Sequence, residues 1–269
     1  MMGRKIKVAL GQFASGLGAV EYNVGKAGQF IARASEKGAD IICLPELFAT
    51  GYNLSILGEK AVTLSREYAG FIREEMSKGA RANNIYVIAS YGEVDESDSK
   101  VYNAAVLYDR KGKKAGSYYK THAFALERNY FAAGGQYPVF DTDIGKLGIL
   151  ICYDAGFPEA ARTLCLKGAE IIFIPAAWRI EDENAWMLNV PSRALENQLY
   201  TVGVNRTGCE GELHLFGKSM VCDPYGRSIL QMDYDSEDIA LCEIDLEEVE
   251  RCRLGWGYLK DRRPGIYQL

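Results

Sequence analysis

Three side chains in this chain of 269 residues have the types and settings that covalent hydrolysis needs. Cys152 follows the apolar run Gly148-Ile149-Leu150-Ile151 and precedes Tyr153-Asp154, so it stands where a strand gives way to a sharp turn. Phe157-Pro158-Glu159 then opens a helical stretch, with proline in the first turn, where its missing N–H costs nothing. Glu46 ends a second apolar run, Ile41-Ile42-Cys43-Leu44-Pro45, and Lys120 closes Ser117-Tyr118-Tyr119. A thiol attacks as thiolate and needs a base or positive charge beside it. Glu46 can take the thiol proton and later activate water. Lys120 can balance that carboxylate and bond a developing oxyanion, with the backbone N–H of Tyr153 as a further donor. A Cys–His pair is the competing arrangement. His122 lies two residues beyond Lys120 and reads better as a supporting or pocket residue, and His214 falls in a loop-like stretch over 211–217.

The elements that must hold these groups alternate along the chain. Strands are expected over 5–13, 41–44, 85–91, 101–108, 115–120, 147–151, 170–175, 199–205, 218–222, 228–231 and 239–244. Apolar residues at helical spacing (Val24, Ala27, Phe30, Ile31, Ala34) mark a helix that Gly38 ends, and further helices are expected over 59–81, 158–167 and 183–197. Strands separated by helices indicate an α/β protein whose helices cover sheet faces, as a doubly wound sheet or a layered sandwich. An internal echo is also present. Gly38-Ala39-Asp40-Ile41-Ile42-Cys43-Leu44-Pro45-Glu46 parallels Gly168-Ala169-Glu170-Ile171-Ile172-Phe173-Ile174-Pro175-Ala176. Either the halves are related units, or both are what a helix stop before a buried strand looks like. Glu46 falls where the second copy has Ala176, so the fold does not require that carboxylate.

Length allows one substantial core, read as a single unit over 1–269. Net charge is −5 with no block of Lys or Arg, which argues against nucleic acid or an anionic membrane as partner. No apolar stretch nears the roughly 20 residues that span a bilayer. The start lacks the apolar core of a signal peptide, so a cytoplasmic location is expected. Seven widely spaced cysteines form no Cys-x-x-Cys, and the two histidines are isolated, so neither a zinc site nor another metal or cofactor is expected. Apart from Cys152 they read as small reduced apolar residues. The aromatic tail over 256–269 is expected to pack, on this chain or on a partner subunit.

Motifs along most of the chain resemble those of the nitrilase, or carbon–nitrogen hydrolase, superfamily. They are Leu44-Pro45-Glu46-Leu47-Phe48, Thr50-Gly51-Tyr52, Tyr119-Lys120-Thr121-His122, Gly148-Ile149-Leu150-Ile151-Cys152-Tyr153-Asp154, Pro175-Ala176-Ala177-Trp178, Arg193-Ala194-Leu195-Glu196-Asn197 and Asn205-Arg206, in the family's order. The resemblance implies a four-layer α-β-β-α sandwich, with Glu46 as general base, Lys120 as oxyanion-stabilising cation and Cys152 as nucleophile. It further implies that Glu127, in Phe124-Ala125-Leu126-Glu127-Arg128, orients the lysine. It also implies a homodimer or larger assembly through the segments 158–167 and 183–197, where Leu164, Leu166, Trp186, Met187 and Leu188 offer apolar surface.

Tyr153-Asp154 after the cysteine is similar to the amidase side of the family, in particular to amidases of small aliphatic and ω-amino amides such as 5-aminopentanamidase. The implied activity is cleavage of a small primary amide to acid and ammonia through a cysteine thioester, without cofactor. N-carbamoyl amines of the N-carbamoylputrescine type and nitriles are the alternative substrates, and a non-catalytic binding module on the same fold is the alternative outside enzymes. Tyr52, Tyr153 and Trp178 flank the strand ends at Glu46, Cys152 and Pro175 and read as pocket walls or as core. Asp154 reads as an acid for a terminal ammonium or as a helix cap.

Overall fold

The computed structural model describes residues 4–267. The first half supplies β1 (Lys5–Gln12), α1 (Val20–Glu36), β2 (Ile41–Cys43), α2 (Leu54–Leu57), α3 (Glu59–Glu67), α4 (Ala69–Asn83), β3 (Tyr86–Val94), β4 (Val101–Tyr108) and β5 (Lys114–Tyr119). The second half supplies β6 (Val139–Thr142), β7 (Gly145–Ile149), α5 (Pro158–Leu166), β8 (Ile171–Ala176), α6 (Glu183–Asn197), β9 (Tyr200–Asn205), β10 (Thr207–Glu210), β11 (Leu213–Phe216), β12 (Met220–Cys222), β13 (Ser228–Gln231), β14 (Asp238–Asp245) and α7 (Glu247–Gly255).

Two six-stranded sheets result, ordered β14-β1-β2-β3-β4-β5 and β13-β12-β9-β8-β7-β6. Each has three parallel strands at its centre, β1-β2-β3 and β7-β8-β9, flanked by antiparallel neighbours. Side chains alternate between the two faces of a strand, and both faces of the first sheet are buried. Val8, Leu10, Ile41, Cys43 and Ile88 enter the core shared with Leu147, Ile149 and Phe173 of the second sheet. Their neighbours Ala9, Ile42, Val87 and Ala89 pack on Ala27 and Ile31 of α1 and on Ile72 and Met76 of α4. Helices α5 and α6 cover the outer face of the second sheet, where Gly148 and Gly203 leave room for Leu164 and Trp186; a Cβ at Gly203 would lie 2.8 Å from the indole. Trp186 is fully buried, and truncating it to alanine should cost about 3–5 kcal/mol. The layering is the expected α-β-β-α sandwich.

Several local expectations change. The helix expected over 59–81 is two helices, α3 and α4, meeting at Tyr68, because α3 packs on β3 through Ala61, Leu64 and Ser65 while α4 packs beside α1. The stretch over 211–217 is not a loop but the turn and second strand of the β10–β11 hairpin, with Cys209 paired to His214. Strand β6 and helix α7 have too few apolar residues at regular spacing to be read from sequence. Leu164 and Trp186 belong to the core, so the apolar surface expected on α5 and α6 reduces to Leu166 and Leu188, both more than half exposed. The described part of the tail is tethered by Gln198, whose amide donates to Trp256 O at 2.7 Å, while Trp256, Tyr258, Ile266 and Tyr267 remain largely exposed. Among the described residues no helix is long and apolar enough to cross a membrane.

Candidate active site

Glu46, Lys120 and Glu127 meet at the strand ends of the first sheet. Lys120 Nζ donates to Glu46 Oε1 and to Glu127 Oε1, each at 2.7 Å, and all three residues are buried. Buried charges persist only when paired and hydrogen-bonded, and here each carboxylate has further donors. Glu46 Oε1 also accepts from Asn103 Nδ2 at 2.8 Å, and its Oε2 from the backbone N–H of Ala177 at 2.8 Å. Glu127 Oε1 accepts from the Tyr52 hydroxyl at 2.6 Å. Burial alone would lower the pKa of Lys120; the two carboxylates outweigh it and hold the ammonium above its ordinary range. Burial, reinforced by the neighbouring Glu46, raises the pKa of Glu127 despite Lys120. Burial, with Glu127 and Glu46 adding to it, likewise keeps the Tyr52 phenol protonated.

Cys152 begins a short 3₁₀ turn, Cys152–Gly156, just beyond β7, the first of the second sheet's three parallel strands. Its φ is +48°, a left-handed conformation that non-glycine residues adopt at a cost of about 1–3 kcal/mol. Leu47 (φ +45°), beside Glu46, and Ala125 (φ +46°), two residues before Glu127, share it. All three segments therefore turn sharply at the site. Asp154 holds the cysteine turn, its Oδ2 accepting from Ile151 N at 3.1 Å and from the Tyr118 hydroxyl at 2.8 Å. The turn does not expose the thiol to bulk solvent: Cys152 is buried and opens only into a cavity. Burial pushes its pKa well up, Glu46 adds to this, and Lys120 opposes it. The resting group is a neutral thiol that needs a base when it reacts.

The cavity, about 350 Å³, is lined by Cys152 with Tyr52, Tyr153 and Trp178, and by Phe124, Leu126, Arg179 and Asp182 among others. Of the two readings left open for these aromatics, wall or core, all three line the cavity, Tyr153 the most exposed of them. The β10–β11 hairpin fixes the Tyr52 wall. Glu210 Oε2 accepts from the backbone N–H groups of Tyr52 and Asn53 at 2.8 and 2.7 Å, and its other oxygen pairs with the buried Arg206. Asn205 fixes the Trp178 wall, accepting from Trp178 N at 2.7 Å and donating to Trp178 O at 3.2 Å.

The Asp154 expectation is corrected. This carboxylate is fully buried and outside the cavity lining; its Oδ1 is taken by His122 N, His122 Nδ1 and Thr121 Oγ1 at 2.9, 2.8 and 3.0 Å. It has no oxygen left for a ligand's ammonium. His122 stacks on Phe157 with ring centroids 3.6 Å apart and buttresses this network, while His214 pairs with Asp235 at 2.7 Å. Sequence reasoning missed Asn103, Glu210, Arg179 and Asp182. Asn103 carried a signal, as the one amide in the otherwise apolar and aromatic run Val101-Tyr102-Asn103-Ala104-Ala105-Val106-Leu107-Tyr108. The others lie in segments without periodicity.

The carbon–nitrogen hydrolase family model matches residues 7–254. A protein of Pyrococcus abyssi named nitrilase is 35% identical, with 97% of this chain and 99% of that one covered. The 2-oxoglutaramate amidase of Bacillus subtilis is 34% identical, covering 95% and 97%. Among solved structures, a cysteine-to-alanine mutant of the amidase from Nesterenkonia sp. AN1 in complex with butyramide superposes with a TM-score of 0.86 at 27% identity, covering 97% and 95%.

Proposed function

Because this chain belongs to the carbon–nitrogen hydrolase family, we propose that it is an amidase that converts small primary amides to carboxylic acid and ammonia through a thioester on Cys152. The observation that carries the reading is the buried Lys120 bridging Glu46 and Glu127 at 2.7 Å beside the thiol cavity. Glu46 accepts the thiol proton as Sγ bonds the amide carbon. The negative charge that develops on the carbonyl oxygen is met by Lys120 and by the Tyr153 N–H, which as an early residue of its turn has no acceptor within it. Collapse breaks the C–N bond, and the proton held on Glu46 leaves with the nitrogen as ammonia. Water, deprotonated by Glu46, then splits the thioester, and the proton returns to the thiol. Glu127 orients Lys120 and raises its proton affinity.

Replacing Cys152 by Ala should abolish ammonia release from a short amide, and mass spectrometry of the quenched wild type should find an acyl adduct on Cys152. Undiminished turnover in that variant would sink the mechanism, and a binding module would show neither signal. The small, largely apolar cavity supports unsubstituted short amides over N-carbamoyl amines, as does the likeness to a butyramide-binding amidase. Ranking propionamide, butyramide, N-carbamoylputrescine and a matched nitrile by kcat/KM decides among the substrate classes. We also propose a homodimer through α5 and α6, supported by the exposed Leu166 and Leu188 and by buried Arg193, whose Nη1 makes no hydrogen bond among the described residues while its Nε lies 3.3 Å from Glu196 Oε1. A monomeric mass by light scattering would exclude it. Seven free thiols support a reducing, cytoplasmic setting, which compartment-specific fractionation would test.

A further inference from the structure

The Tyr52 side of the cavity is held by an ion pair that lies outside the reacting groups. Arg206 and Glu210 are both buried, and Arg206 Nη2 donates to Glu210 Oε1. Arg206 Nε and Nη1 make no hydrogen bond among the described residues, and among them Glu210 alone balances this buried charge. The other oxygen, Oε2, accepts from the backbone N–H groups of Tyr52 and Asn53 at 2.8 and 2.7 Å, and the Asn53 side chain donates to Glu210 O at 2.6 Å. Gly51 turns the chain just ahead of these two N–H groups with φ +86°, and a Cβ there would lie 2.9 Å from Glu210 Oε1 and 2.8 Å from Leu17 Cδ1. Residues 51–53 are thus wrapped around a carboxylate. The far end of Tyr52 meets the chemistry. Its hydroxyl donates to Glu127 Oε1 at 2.6 Å, the same oxygen that Lys120 Nζ reaches at 2.7 Å. Its ring lies 6.0 Å from Lys120 Nζ and lines the cavity with Cys152. A shift of the Tyr52 backbone therefore moves the hydroxyl on Glu127 and redistributes the bonds that aim Lys120.

We propose that Glu210, anchored by Arg206, is a positioning residue for amide cleavage: through Tyr52 it sets the Glu127 carboxylate, and hence the Lys120 ammonium that meets the oxyanion. The proposal rests on the amidase reading and deepens it. A buried ion pair adds little net stability over an apolar pair of the same size, so what the fold gains from this one is a fixed direction for two N–H groups. Because Lys120 meets charge that develops only in the transition state, an error in its aim lowers kcat more than it raises KM.

The test measures kcat, KM and Tm with butyramide as substrate for the wild type, Tyr52→Phe, Glu210→Gln and the double variant Tyr52→Phe/Glu210→Gln. Each single variant should lower kcat by roughly 10- to 100-fold with KM within about threefold of wild type. The double variant should lose no more than the worse single variant, because both changes break one chain of bonds. A clamp that only stabilises the fold would instead lower Tm and leave kcat alone. Glu210→Gln strands the Arg206 charge, so Arg206→Met/Glu210→Gln, which removes the buried pair together, is measured beside it and should show the same fall in kcat. Wild-type kcat in Tyr52→Phe or in Arg206→Met/Glu210→Gln, or losses that multiply in the Tyr52→Phe/Glu210→Gln variant, overturns the role of Glu210 while leaving the amidase reading intact. Failure of both Glu210→Gln and Arg206→Met/Glu210→Gln to fold assigns the pair to stability and overturns the role as well. No turnover of butyramide or propionamide by the wild type overturns both the role and the amidase reading.

Discussion

Residues 38–46 and 168–176 occupy the same station in the two sheets, and nearly every local feature of one recurs in the other. Gly38 (φ +80°) and Gly168 (φ +97°) end α1 and α5 in the left-handed conformation, and the next residue's N–H returns to the helix, Ala39 to Ala34 O at 3.0 Å and Ala169 to Leu164 O at 3.1 Å. Asp40 and Glu170 each accept from a backbone N–H of the neighbouring strand, Lys7 and Lys146, at 2.9 Å, and each pairs with an arginine, Arg110 and Arg4. Strands β2 and β8 then run as the middle of three parallel strands. The copies part only at their ends, where they meet: Glu46 N donates to Ala176 O at 3.4 Å, and Ala177 N to Glu46 Oε2 at 2.8 Å. One copy supplies the carboxylate and the other the backbone that holds it. Equivalent segments brought end to end can thus be divided into one that carries the carboxylate and one that holds it by one substitution.

Removing the difference should have the largest effect. Glu46→Gln is expected to lower kcat for a short amide by roughly 10³-fold while the fold persists, since the amide can still bond Ala177 N. Moving the carboxylate across, as Glu46→Ala with Ala176→Glu, should not restore activity and should destabilise by several kcal/mol, because position 176 is fully buried within the apolar core. Recovery of ammonia release by the double variant would show that the two ends are interchangeable.

The next effect lies on the Lys120 side. Glu127 has a raised pKa, so the native state binds its proton more tightly than the unfolded chain does. Its contribution to stability is therefore full below the unfolded carboxylate pKa and is lost as pH rises through the folded value. Glu127→Gln should flatten the fall in Tm above about pH 4.5 by about 2–3 °C, measured by thermal melts in a pH series, and should lower turnover. An unchanged Tm slope would contradict the raised pKa.

Smaller changes test the sameness of the scaffolds. Gly38→Ala and Gly168→Ala should each cost about 1 kcal/mol in urea unfolding, from backbone conformation alone, since an added Cβ meets nothing at Gly38 and only the flexible Lys146 at Gly168. Asp40→Ala and Glu170→Ala should each cost about 0.5–1.5 kcal/mol and leave kcat within about twofold. A large loss of activity in only one member of either pair would show that the supporting half does more than hold its partner.

The sequence alone determined what is local. Helix stops at Gly38 and Gly168, buried strands after them, and Glu46, Lys120 and Cys152 at strand ends all follow from apolar periodicity and turn chemistry, which act over a few residues. The echo was visible there too, but not its meaning, because only the tertiary structure brings Glu46 onto Ala177, 131 positions away. A still longer separation in sequence hid the Glu210 clamp on Tyr52, 158 positions away, and the hairpin that carries it. Nor could composition decide which acid faces the cavity. Asp154 and Asp182 look alike in a chain, yet the fold surrounds the first with donors and leaves the second on the wall beside Arg179. A side chain's type is fixed by its codon, but its partners are chosen by whichever distant backbone packs against it, and that choice is made only when both sheets close.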